Sequence, residues 1–279
     1  MKTILFAGIV AVASLASAVE WKNVDAEHYL GGRKASAGYL QGKVVLVDRW
    51  GAHCPPCRAL LPRVEEVWQS FKTKPLVVLG GHCAGWGSAE EVKALIEENK
   101  LSYPVYEDAG LAVGEPKFSA IPFLYVVDET GKVVYLGHDE RTATQAIVMA
   151  LTDMESPKNV TQWKRFLDYE LDHLPCRGYL RLKEFRRKFP RDAKAYEAKA
   201  RELAEIKDLK KVAELVEFAK KAKDPPVFDP KDTVKKAKYQ KLVEDVISTC
   251  EAFKEHPDTR VAQEAKNAIA DLKWTQATF

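Results

Sequence analysis

The chain has 279 residues, 46% of them hydrophobic and 30% charged, which is enough for one large or two ordinary folded units, each with a full core. A formal net charge of +3 without a concentrated basic stripe or an aromatic platform excludes a nucleic-acid-binding surface. The five cysteines are an odd number, so at least one is unpaired within a monomer.

Met1-Lys2 gives a positive start, and Ile4 to Val12 is an apolar run too short to span a bilayer comfortably. Ala16-Ser17-Ala18 then supplies small residues where a signal peptidase reads them. Residues 1–18 therefore predict a cleaved export signal, with Val19 as the mature N-terminus and a periplasmic or other extracytoplasmic destination. An uncleaved membrane anchor is the alternative. No cysteine follows the cleavage point, which excludes the lipoprotein version, and no later stretch suits a membrane span, so the mature chain is expected not to cross one.

Val44 to Val47 reads as a buried strand. A short turn follows, then Cys54-Pro55-Pro56-Cys57, then the helical pattern that starts at Ala59. A Cys-x-x-Cys at a helix start is a thiol–disulfide exchange site: the partial positive charge and unpaired N–H groups of a helix N-terminus stabilise a thiolate at Cys54. Half of a zinc site would need a second ligand pair, which the sequence does not supply, and a structural bridge normally joins distant segments. Pro75 to Gly80 is a second buried strand, ending in Gly81-His82-Cys83-Ala84-Gly85-Trp86-Gly87. Ligands of open α/β sheets gather beyond the carboxyl ends of the parallel strands, so this loop is expected on the rim that holds Cys54. There His82 and Cys83 offer a third thiol or a soft copper-type site, or simply a loop imidazole and a small buried apolar residue.

Ser88 with Glu91 three residues on is a capping box opening a helix whose buried face carries Val92, Leu95 and Ile96. Phe123–Val127 and Val133–Leu136 are joined by Asp128-Glu129-Thr130-Gly131, which has hairpin turn chemistry. A closing helix runs from Thr142 to Leu151. From about Met154 strand signals vanish, and amphipathic helices are predicted near 161–174, 179–189, 193–206, 209–221, 231–256 and 259–273. Asp224-Pro225-Pro226-Val227-Phe228-Asp229-Pro230 is a rigid break among them. Glu184 to Pro190 is echoed by Glu251 to Pro257, each followed by an Ala-rich helix, an offset about twice the tetratricopeptide period. Residues 19–152 carry 14 basic and 17 acidic side chains, and residues 153–279 carry 28 and 23, which supports the division. Cys176 and Cys250 both lie in the second half and are candidates for a structural bridge, leaving Cys83 as the odd thiol.

The stretch Val47-Asp48-Arg49-Trp50 through Cys54-Pro55-Pro56-Cys57 resembles the thioredoxin active-site signature, with Asp48 where the family has its buried acid. Phe118 to Val134 is similar to that family's cis-proline segment and final strand pair, and the surrounding wording is nearest the secreted TlpA/ResA-like branch. The resemblance covers about residues 20–152. It implies an α/β thioredoxin-like fold over residues 19–152, here followed by an all-α helical-hairpin domain over residues 153–279 that is only weakly tetratricopeptide-like.

What the resemblance implies chemically is dithiol–disulfide exchange without a cofactor or metal. Cys54 attacks, Cys57 resolves, Asp48 accepts the proton of Cys57, and Ile121 with a cis Pro122 pairs with an extended substrate segment. His53 stands beside Cys54 and would favour its thiolate when protonated. The expected partners are protein disulfide or dithiol clients, together with a membrane electron donor if the protein is a reductant. The competing readings are a copper-binding or partner-docking thioredoxin-fold protein, and a disulfide isomerase whose helical domain holds clients.

Overall fold

The computed structural model describes residues 19–223, 226 and 233–277. The expected signal segment and all of the Asp224–Pro230 break except Pro226 lie outside them. The first half runs β1 (Trp21–Lys22), β2 (Tyr29–Gly31), α1 (Ala37–Leu40), β3 (Val44–Trp50), α2 (Pro55–Ser70), β4 (Leu76–His82), α3 (Ala89–Glu98), β5 (Val105–Glu107), β6 (Gly110–Leu111), β7 (Phe123–Val127), β8 (Val133–Gly137) and α4 (Glu140–Glu155). Six strands form one sheet in the order β2-β5-β4-β3-β7-β8, and β1 pairs with β6 apart from it. This is a thioredoxin-like fold, with β3 at its centre, parallel to β4 and antiparallel to β7.

Every residue of β3 and β4 is buried, which is why both read as unbroken Val/Leu runs rather than as alternating patterns. Both strands extend beyond their apolar runs. Asp48, Arg49 and Trp50 still pair with Gly80, Gly81 and His82, so ladder pairing carries polar residues inside. The pleat divides β3 between two cores. Val44, Leu46 and Trp50 face α2 through Cys57, Leu61 and Val64. Val45 and Val47 face Tyr39, Val77, Leu79 and Tyr106 on the other side. In the β7–β8 hairpin Asp128 Oδ1 accepts from the amides of Thr130 and Lys132, and Gly131 supplies the positive φ that the turn requires.

The second half is helical throughout its described residues: α5 (Val160–His173), α6 (Pro175–Lys188), a 3₁₀ turn (Asp192–Tyr196), α7 (Glu197–Ala204), α8 (Leu209–Ala222), α9 (Thr233–Glu251) and α10 (Thr259–Ala277). The helix expected over 193–206 is split at Tyr196, whose hydroxyl is held 2.7 Å from Asp168 on α5. Cys176 packs with Trp163 and Phe185, whereas Cys250 packs with Ala219 and Val243. Both are free buried thiols, so the bridge considered for them is not formed.

The two halves meet along one rim. Arg177 donates to the Gly42 carbonyl (2.7 Å), Asn267 to that of Gly38 (3.1 Å) and Arg33 to that of Ala270 (3.1 Å). Arg165 lies 3.6 Å from Asp128 and 3.8 Å from Glu129. These contacts gather where β3 begins and β7 ends. Cys54 follows the opposite end of β3, a strand length of roughly 20 Å away.

Candidate active site

Cys54 is the N-cap of α2, and Pro55 and Pro56 occupy its first two positions, where a missing N–H costs nothing and the fixed φ already suits a helix. The free amide of Cys57 points back at Cys54 Sγ, 3.2 Å away, an orphan donor of the helix N-terminus aimed at the sulfur that must carry negative charge. Cys54 and Cys57 are joined as a disulfide, with Cα atoms 5.2 Å apart. The Ile121–Pro122 bond is cis, and the Ile121 carbonyl oxygen lies 3.7 Å from Cys54 Sγ. That carbonyl therefore lies beside Cys54 Sγ.

Asp48 stands on β3 between Leu46 and Trp50, on the parity that faces α2 and Cys57. Both carboxyl oxygens are buried without a hydrogen-bond partner among the described residues, and desolvation pushes the pKa from 3.8 up to about 7, against a smaller opposing pull from Arg49. The neighbouring guanidinium does not reach across the strand. Arg49 faces the other side, donating to the Ala109 carbonyl (2.8 Å) and to Asp108 (2.9 Å).

The remaining candidates are distributed unevenly. His53 is exposed, and its Nε2 sits 3.0 Å from Glu91 Oε1, while its amide is fixed by the Trp86 carbonyl. Glu91 also closes the capping box with Ser88, and these bonds hold its carboxyl down at about 2, the Ser88 amide contributing most. His82 is buried edge-on against Trp50, its Nε2 3.3 Å from both the Ala52 amide and the Trp86 carbonyl, and desolvation lowers its pKa. It therefore supports the backbone two residues before Cys54 as a neutral ring. The amide of Cys83 donates to the Trp50 carbonyl, and burial pushes its thiol up. Among the described residues no hydrogen bond joins Cys83 to the dithiol, and no group of three His, Cys, Asp or Glu is placed to hold a metal ion.

The sequence reading missed the second task of Glu91. Its place in a capping box was legible, but its reach to His53 depends on the 81–87 loop bringing α3 beside the dithiol. It also missed Trp86, an exposed indole whose Cβ lies 2.5 Å from the position a Cβ on Gly51 would take, so only glycine fits there.

Residues 17–136 match the model of the AhpC/TSA family. The thioredoxin-like protein YneN of Bacillus subtilis is 28% identical over 104 residues, covering 37% of this chain and 61% of that protein. The thiol–disulfide oxidoreductase ResA of Bacillus cereus is 29% identical over 117 residues, covering 42% of this chain and 66% of its own length. The chain thus spans a little under two thirds of each of these relatives. Among solved structures, a thiol:disulfide interchange protein of Chlorobium tepidum is similar with a TM-score of 0.39 and 23% identity, covering 44% of this chain and 90% of that one. Residues 17–136 are accordingly similar to the AhpC/TSA family, and the relatives of that segment are named as a thioredoxin-like protein and a thiol–disulfide oxidoreductase.

Proposed function

We propose that the protein is an exported thiol–disulfide oxidoreductase that reduces disulfides in protein clients through Cys54 and Cys57. The observation that carries this reading is the Cys54–Cys57 pair at the N-terminus of α2 with a buried carboxyl, raised to about 7 and so able to gain and lose a proton near neutrality, on the sheet face beneath it. In the cycle, the Cys54 thiolate attacks one sulfur of a client disulfide and expels the other as a thiolate. Asp48 then takes the proton of Cys57, whose thiolate attacks Cys54 Sγ and expels the second client sulfur. The product is the Cys54–Cys57 disulfide. Two electrons must return from a dithiol donor at the membrane before the next turnover. Ile121, beside the cis Pro122, and the exposed His53 are the groups that would meet the client chain.

Export rests on the character of residues 1–18, and one similar structure is described as a secreted disulfide oxidoreductase of Mycobacterium tuberculosis. The reducing direction rests on Asp48 and on the Cys-Pro-Pro-Cys wording. A copper-carrying role gains nothing from His82, whose ring is enclosed by Trp50 and the turn before Cys54. Client holding by the helices, as an isomerase would need, has to reckon with their docking at the rim away from Cys54.

Thiol trapping tests the reading. Cys54→Ser is expected to abolish insulin reduction, and Cys57→Ser to accumulate a mixed disulfide with insulin. Equilibration with glutathione buffers is expected to give a potential of about −200 mV or lower, whereas about −120 mV would assign an oxidant. No trapped adduct with Cys57→Ser would remove exchange as the function.

A further inference from the structure

A cavity of about 460 Å³ lies between the two halves, walled by the segment before β3 on one side and by α5, α6, α8 and α10 on the other. That volume suits a small-molecule site. Its lining mixes apolar surface from Trp163, Leu174, Leu180 and Val216 with a set of charges whose pairing is uneven.

The carboxylates of the cavity are already engaged. Glu170 is held by Arg177 (3.0 Å) and by Arg181. Asp271 accepts the Tyr39 hydroxyl and pairs with Lys223 at 3.0 Å, with Arg33 at 4.0 Å. Glu264 accepts the amides of Cys176 (2.7 Å) and Arg177 (3.1 Å) at the start of α6. At the mouth, Glu155 pairs with Lys74, Glu184 with Lys188 and Glu217 with Lys221. Two lining ammonium groups are left over. Lys43 is buried, donates to the Tyr39 carbonyl (2.8 Å), lies 3.8 Å from the centre of the Tyr39 ring, and has no carboxylate within ion-pair distance among the described residues. Lys220, on α8, is exposed and forms no hydrogen bond or ion pair among the described residues. One ammonium comes from the thioredoxin-like half and the other from the helical half.

We infer that this cavity binds a small organic dianion, whose apolar body lies against Trp163 and Leu180 while its two negative groups meet Lys43 and Lys220. Burial lowers the Lys43 pKa from 10.5 to about 7, so its charged form is costly without a counter-charge, and a ligand that supplies one there while also meeting the exposed Lys220 would tie the two halves together. The Arg177 and Arg181 forks are occupied by Glu170, so recognition falls to point charges, which accept carboxylate and phosphate ester alike. The ligand stands apart from the dithiol and has no part in its chemistry.

The test uses the oxidised full-length protein, thermal unfolding and Trp fluorescence, with succinate, glutarate and phenyl phosphate as probes against sodium chloride of equal ionic strength. At least one probe is expected to raise the unfolding midpoint with a saturable dose response and to change the emission. Lys220→Gln is expected to weaken that response about tenfold, leaving the unliganded midpoint and insulin reduction unchanged. Lys93→Gln, an exposed lysine on α3, serves as the control with no effect. Probe effects no larger than those of chloride, or equal responses in wild type and Lys220→Gln, would overturn the inference. A response to succinate but not phenyl phosphate would identify the ligand as a dicarboxylic acid, and the reverse a phosphate ester.

Discussion

At Asp48 the carboxyl group is enclosed between the sheet and α2 and bonded to nothing, so folding favours its protonated form. The linkage has a definite sign: the unfolded chain releases this proton near 3.8 and the folded one near 7, so stability falls as pH rises through that window and is level above it. Asp48→Asn is therefore expected to stabilise the protein at pH 8 by on the order of 3 kcal/mol, with the gain shrinking toward zero near pH 4. Urea unfolding at the two pH values measures this. The same variant should slow release of the mixed disulfide while leaving its formation by Cys54 near the wild-type rate. Glu129, buried at the join of the halves with neither oxygen hydrogen-bonded, obeys the same sign, burial raising it from 4.5 to about 7. Glu129→Gln should raise the unfolding midpoint at pH 8 and leave it unchanged near pH 4.

At the scale of elements, α3 does more than cover the sheet. Ser88 caps it, Glu91 answers the cap, and the same Glu91 steadies the imidazole next to Cys54. Ser88→Ala removes the acceptor for the Glu91 amide and is expected to cost about 1 kcal/mol of stability. Glu91→Ala also releases His53. Its signature is a change in the His53 imidazole resonances, measured by NMR at fixed pH, larger than that caused by Ser88→Ala. The two variants thus separate capping from positioning.

For the molecule as a whole, the decisive contact is at Gly42, where the chain turns into β3 with φ of 65°. A Cβ there would stand 2.3 Å from Leu174 and 2.5 Å from Arg177, so the helical half approaches through the space a side chain would fill. Gly42→Ala combines left-handed strain with that clash and is expected to destabilise the full chain by roughly 2–3 kcal/mol. Because the contact lies at the rim away from the dithiol, the variant should keep a wild-type redox potential. Hydrogen exchange should rise in α5, α6 and α10 first. A shifted potential would show that the halves are coupled through the sheet.

The sequence by itself determined the elements with strong local signals. Val44 to Val47 and Pro75 to Gly80 announced their strands by apolar runs, Ser88 and Glu91 their helix by its cap, and Cys54-Pro55-Pro56-Cys57 the redox pair by its place at a helix start. The resemblance to thioredoxins supplied Asp48 and Pro122, which local pattern does not mark. The strands of two or three residues, β1, β2, β5 and β6, carry too few side chains to show a period and exist only through their partners. The free state of Cys176 and Cys250 was likewise decided by tertiary packing, which placed them in separate cores. So were the bond between Glu91 and His53 and the seating of the helices on Gly42, Asp128 and Glu129. Each of these joins residues distant in the chain, and whether such groups meet depends on how whole elements pack, which no local spacing encodes.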